Sequence, residues 1–324
     1  MRITERNNFE TVRDSISRSR GRMDGLQHQA ATLKRINAPS DDPIGSSKIL
    51  EIRTDKVNND QFQMNAKLAE SFLMNTDHTL GELADIVVRA KEIALGQSSG
   101  ASSNDETRVA VAEEITQLYK QSVAAANRRI GDRYLFGGYK THQPPILPDG
   151  QYRGDNGEMM VEIARDVFIS SNVPGSVAFN TQPTAVASPN PELTDQQRRG
   201  PAGSMDEGGP RPENINLFDE LQALRVSLLA GDISGVRDTL ERFDALHGTL
   251  ISNRAKVGSR LMGIQSTASS LERHNLTNAQ LNSALEDADM SRVVSDLAKE
   301  ETVFKSSLAS AQKLIQPTLL DFIR

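Results

Sequence analysis

The 324-residue chain has no cysteine and no tryptophan, and only 4% of its residues are aromatic. Without thiols it can form no disulfide, no thiolate nucleophile and no Cys-ligated metal site. With so few rings it lacks the aromatic mass that dominates the cores of globular enzymes. No uninterrupted run of about 18 apolar residues exists to span a bilayer. No apolar h-region follows Met1, so export, if it occurs, is expected without a cleavable signal peptide. The familiar catalytic patterns are missing too. There is no Walker loop, no Gly-x-Gly-x-x-Gly and no Gly-x-Ser-x-Gly, and His28, His78, His142, His247 and His274 fall in no metal-ligand spacing. No enzymatic activity, cofactor or metal is expected. A formal net charge of −6 argues against nucleic acid as the main partner.

What the chain does have is helical periodicity. Phe9, Val12, Ile16, Ser19, Met23, Leu26, Ala30 and Leu33 alternate spacings of three and four, an a/d heptad seam. Val294, Leu297, Glu301, Phe304, Leu308, Ala311, Ile315, Thr318 and Phe322 repeat the rhythm at the other end. Each stripe is narrow, so each helix wants a partner: the other terminal helix or a neighbouring copy. Residues 1–37 hold eight Lys/Arg against four acids, whereas residues 285–324 hold seven acids against five bases, and opposite charge favours the pairing weakly. Pro317 predicts a kink or an end near Gln316. Further helices are predicted from Ile44 to Leu95, from Thr107 to about Arg129, from Asn214 and from Phe243 to Leu285. In the last of these, Asn275, Asn278 and Asn282 occupy the seam and weaken it.

The middle differs. Short β-type runs, Met159–Ile163 and Val167–Ile169, sit among turn signals such as Pro148-Asp-Gly150 and Val173-Pro-Gly175. Residues 180–213 hold six prolines and four glycines and read as loop. The predicted fold is mainly α: long N- and C-terminal helices forming a coiled-coil or helical rod, with a small β-rich inserted domain. Its domains are 1–40 with 285–324 as a terminal helical domain, 41–140 with 214–284 as a helical rod, and 141–213 as a β-rich insert.

Three short features invite functional readings. In Pro39-Ser40-Asp41-Asp42-Pro43 the two carboxylates have no third metal ligand in sight. The pattern fits a helix break, with a cap from Ser40, Asp41 or Asp42 and Pro43 in the first turn of the next helix. Arg153-Gly-Asp155 spells an adhesion tripeptide, but its surroundings are ordinary turn chemistry. Tyr134, Phe136 and Tyr139, with Gly137 and Gly138, are placed at the junction of helix and insert, where glycine lets backbone pass closely.

Together, Met1-Arg-Ile-Thr4 through Ile36-Asn-Ala-Pro-Ser-Asp-Asp-Pro43, Arg133-Tyr-Leu-Phe-Gly-Gly138 with Gln151-Tyr-Arg-Gly-Asp155, Arg254-Ala-Lys-Val-Gly-Ser-Arg260, and Leu285-Glu-Asp-Ala-Asp289 through Leu319-Leu-Asp-Phe-Ile-Arg324 resemble the flagellin superfamily. Within it they resemble the hook–filament junction subunits. The resemblance implies that residues 1–40 and 285–324 form an inner-tube domain that folds on assembly. It implies a structural, secreted subunit of the bacterial flagellum, serving motility and exported unfolded by the type III apparatus. The implied partners are further copies of the chain, the adjacent hook-associated protein and flagellin subunits, and an export chaperone on the C-terminal helix. The alternative within the resemblance is a paralogue of filament flagellin.

Overall fold

A computed structural model describes residues 2–98, 104–179 and 215–315, with side chains between residues 10 and 312 of these. The 180–213 stretch, Pro317 and the side chains of Phe9, Ile315 and Phe322 lie outside the described residues. Among the described residues seven helices, α1 (Arg2–Thr32), α2 (Pro43–Ser98), α3 (Asp105–Ala126), α4 (Gly175–Ala178), α5 (Leu217–Ala230), α6 (Ile233–Glu286) and α7 (Met290–Ile315), make a mainly α fold. The strands are short: β1 (Arg129–Ile130) pairs antiparallel with β2 (Arg133–Tyr134), and β3 (Met160–Ala164) with β4 (Val167–Ser170).

The helix boundaries follow local chemistry. Asp42 caps α2, its carboxylate accepting the Gly45 amide at 2.9 Å, and Pro43 occupies the first helical position, where its missing N–H costs nothing. Asp105 and Glu106 begin α3, where the helix dipole favours negative charge. Asn216 caps α5 by accepting from the Phe218 amide, and Gly231 ends it in the left-handed conformation that glycine adopts without strain.

The chain divides into two units: Met1–Asp60 with Glu272–Arg324, and Gln61–Leu271. These boundaries differ from those read in the sequence, and the insert residues 141–179 belong to the second unit rather than to one of their own. The second unit carries the larger core. Leu73, Leu80, Leu83 and Val87 of α2, Ile115 of α3, Leu221 and Leu224 of α5 and Phe243, Leu250 and Val257 of α6 are all buried. The scarce rings concentrate here. Phe136 and Phe179 lie 4.8 Å apart between centroids, Phe179 and Phe218 5.6 Å, and Phe218 meets Tyr119 edge-on at 6.3 Å. That string ties α3, the insert and α5 into one core.

The insert is held by hydrogen bonds as much as by rings. Tyr152 is buried, and its hydroxyl bonds the Phe136 carbonyl at 2.9 Å and the Asp155 carbonyl at 2.8 Å. Burial pushes its pKa up to about 12. Asp155, the acid of the Arg-Gly-Asp tripeptide, accepts the Tyr139 and Gly157 amides at 2.7 and 2.9 Å, so its carboxylate is engaged in the turn. Phe136 is fully buried, Tyr134 is partly buried on β2, and Tyr139 is 66% exposed but donates its hydroxyl to the Glu158 carbonyl at 3.1 Å. Gly138 has φ +68°, and a Cβ there would run into the Asp155 carboxylate. Gly138→Ala is therefore expected to destabilise the second unit by about 1–3 kcal/mol. Thermal unfolding measures this, and an unchanged midpoint would contradict the packing described.

Candidate assembly site

In the first unit α1 packs against α7. Along α1 the sheltered positions are Val12, Ile16, Ser19, Met23, Leu26 and Ala30, spaced by three and four. Only Ser19 is fully covered, at 1% exposure. Its hydroxyl lies 3.1 Å from Glu300 Oε2, and the Arg22 guanidinium donates to the same carboxylate at 2.8 and 3.3 Å. Arg22 holds the Glu300 carboxyl below its ordinary pKa, so it stays ionised in the seam. A narrow apolar stripe with a polar lock at its centre is a pattern that fixes register at some cost in stability.

On α7 the sheltered positions are Val293, Leu297, Glu300, Phe304, Ser307 and Ala311. This corrects the register read from sequence. Leu297, Phe304 and Ala311 lie on the seam, but Val294 is 56% exposed and Leu308 40% exposed. Glu300, bonded to Ser19 and Arg22, turns inward in place of the expected Glu301, while Leu297, Phe304 and Ala311 are common to both readings. Leu33 also departs from expectation. It follows the end of α1 with φ +59° and 57% exposure, so the helical seam closes at Ala30. Toward the chain ends the pairing loosens into a cleft of about 340 Å³ lined by Val12, Ser15, Thr302, Val303 and three serines.

Beyond α1 the chain turns through a tight elbow. Asp41 accepts the Ala38 amide at 2.9 Å and the Asn37 amide at 3.0 Å, and those bonds hold its carboxyl below the ordinary range. Pro39 and Ser40 are exposed at the turn, and Asp42 caps α2. The Pro39–Pro43 break is thus a turn and a cap, and no cluster of potential metal ligands occurs among the described residues. The elbow lies against the end of α6. There Glu286, 4% exposed in its side chain, meets Lys34 Nζ at 2.5 Å and Arg53 Nη2 at 2.6 Å, and Asn282 donates to it at 2.8 Å. Burial alone would raise its pKa. The bonds from Lys34, Asn282 and Arg53 outweigh burial and bring it to about 2. About three turns earlier on α6, Asn275 bonds Asn59 and Asp60 of α2 at 3.0 and 3.1 Å, so this seam asparagine acts as a polar cross-link.

Sequence reasoning missed Val293, Glu300 and Ser307 on α7, and the whole Glu286 cluster. Only the repeated three–four spacing from Val293 could have revealed the first group. Nothing local marks Glu286 as the partner of Lys34.

This geometry offers a surface: two terminal helices joined by a narrow seam, and an elbow locked by charge. Residues 4–141 match the bacterial flagellin N-terminal helical region. The chain is similar to flagellar hook-associated protein 3 of Escherichia coli, with 24% identity over 321 residues, covering 95% of each chain. It is also similar to flagellar hook-associated protein 3 of Salmonella typhimurium, 28% identical over 202 residues; that match covers 61% of this chain and 62% of the relative. The solved structure of flagellar hook-associated protein 3 from Legionella pneumophila shares the fold at TM-score 0.58 and 18% identity, covering 73% of this chain and 98% of that one.

Because Glu286 has a lowered pKa in the folded state, its stabilisation is present above the ordinary value of 4.5 and lost as pH falls through about 2. Glu286→Gln is expected to cost about 2 kcal/mol at pH 7, discounted because Lys34 and Arg53 are half exposed. The difference from the parent should shrink below pH 4.5 and vanish near pH 2. Urea unfolding across that range checks it, and parallel pH profiles would contradict it.

Proposed function

We propose that the chain is a structural, non-enzymatic subunit that joins the hook of the bacterial flagellum to its filament. The observation that carries this reading is the pairing of α1 with α7, the two ends of a chain whose relatives are hook-associated proteins. A subunit held by its ends in this way leaves its second unit to pack by itself, while the terminal pair meets its neighbours. Narrow seams suit a helix pair completed by association, because each stripe alone buries too little to offset the entropy of ordering it. The partners are then further copies of the chain, the adjacent hook-associated protein and flagellin subunits, and an export chaperone on α7. The location is the extracellular hook–filament junction, reached unfolded and without a cleavable signal.

Deleting the gene tests the role. Hooks without filaments, with unpolymerised flagellin shed into the medium, are expected; normal filaments would refute it. A filament flagellin is the second reading, since the matching N-terminal region is one that flagellins carry. It requires that the purified protein polymerise when seeded with filament fragments.

The assembly seam makes a sharper forecast. Phe304→Asp places a charge on the sheltered face of α7 and should abolish incorporation while leaving the Gln61–Leu271 unit folded. Incorporation at the parent level, scored by labelling of isolated hook–filament complexes, would show that the seam is not used.

A further inference from the structure

The only Asn-Gly pair in the sequence, Asn156-Gly157, directly follows the Arg-Gly-Asp tripeptide in the insert and has no part in the assembly seam. An asparagine followed by glycine is open to attack by its own backbone, because glycine sets no Cβ beside the attacking nitrogen. The local structure adds to that chemistry. Asn156 is exposed, so packing does not lock its side chain. Its amide oxygen Oδ1 accepts the Ser176 hydroxyl at 2.5 Å. The Gly157 amide donates to Asp155 Oδ1 at 2.9 Å. Both hydrogen bonds therefore fall on atoms that would react.

Each bond has a chemical use. A donor on a carbonyl oxygen stabilises the charge that develops there during attack. A carboxylate within hydrogen-bond reach of a proton is placed to remove it. The nucleophile is held as well. The Gly157 carbonyl accepts from Nδ2 of the buried Asn172 at 3.0 Å, and a Cβ at position 157 would run into the Tyr139 ring. The packing thus requires the same glycine that the reaction favours.

We propose that Asn156 is a self-modification site, where the Gly157 nitrogen closes on Asn156 Cγ, Asp155 takes the proton and Ser176 holds the amide oxygen. The bond formed is N–Cγ, and the bond broken is Cγ–Nδ2. The proton removed from the Gly157 amide leaves with Nδ2 as ammonia, and a cyclic imide remains. Solvent water then opens the ring at either carbonyl, giving aspartate or isoaspartate, and no oxidant or reductant is consumed. Either product sets a new carboxylate beside Asp155, and isoaspartate also lengthens the main chain within the turn that the Tyr152 hydroxyl anchors. The change marks the age of a subunit and loosens its insert. It lies within the Gln61–Leu271 unit, so it depends neither on the terminal helices nor on the junction role.

Trypsin releases the segment Gly154–Arg165, in which Asn156 is the sole side-chain amide. Purified full-length protein aged at neutral pH, digested and followed by mass spectrometry and isoaspartate-specific methylation reads the conversion directly. Asn156 should convert faster in the folded chain than in the same chain unfolded in urea, while exposed Asn104, which precedes Asp105, stays intact. Ser176→Ala should slow the folded chain about three- to tenfold, the weight of one hydrogen bond, and leave the rate in urea unchanged. Ser176→Thr, which keeps the hydroxyl, should restore the parent rate. A folded rate no higher than that in urea would overturn the site, as would equal rates for folded parent and Ser176→Ala. If Ser176→Ala loses helix content by circular dichroism, the comparison of folded and urea-unfolded parent decides.

Discussion

The contact between Ser19, Arg22 and Glu300 is the constraint around which the terminal pair is built. Two helices with narrow apolar stripes could slide or rotate against each other at little cost, because neighbouring registers bury similar area. A buried serine and an arginine sharing one carboxylate remove that freedom. The lock sets which face of α7 turns inward, and so which residues remain on the outside. Val294 and Leu308 are left there as apolar surface. For a subunit that assembles, such residues are where a neighbour would gain most.

The same economy shows in how the two units are stabilised. The second unit gathers the rings into one string, from Phe136 through Phe179 and Phe218 to Tyr119, and surrounds it with leucine and valine from α2, α5 and α6. Among its described residues the first unit has no comparable core and carries polar cross-links: Glu300 between α1 and α7, Asn275 between α2 and α6, and Glu286 at the elbow. Polar cross-links of this kind contribute less to stability than apolar packing of equal volume, but they favour one arrangement over its neighbours.

Much of this was legible in the sequence. The alternation of Val12, Ile16, Met23 and Leu26 defines one face of α1, because the residues between them are polar. The prolines at 39 and 43 with Asp42 mark a break and a cap, since proline and aspartate have few other uses at such spacing. The register of α7 was not legible. Val293 and Val294 are adjacent, both candidate seams pass through Leu297, Phe304 and Ala311, and only the partner helix decides between Glu300 and Glu301. The Glu286 cluster was hidden for the same reason: Lys34, Arg53 and Glu286 become neighbours only when the chain returns on itself. The end of α1 was misplaced by extending a regular spacing into Leu33, which the elbow takes for its own turn.

The pairing of the chain's two ends is best tested by Ser19→Cys combined with Glu300→Cys, in a protein with no other cysteine. Treatment of isolated hook–filament complexes with a short bis-maleimide cross-linker should join the two thiols within one chain, since the parent side chains meet at 3.1 Å. No cross-link, or one found only between different copies, would contradict the account.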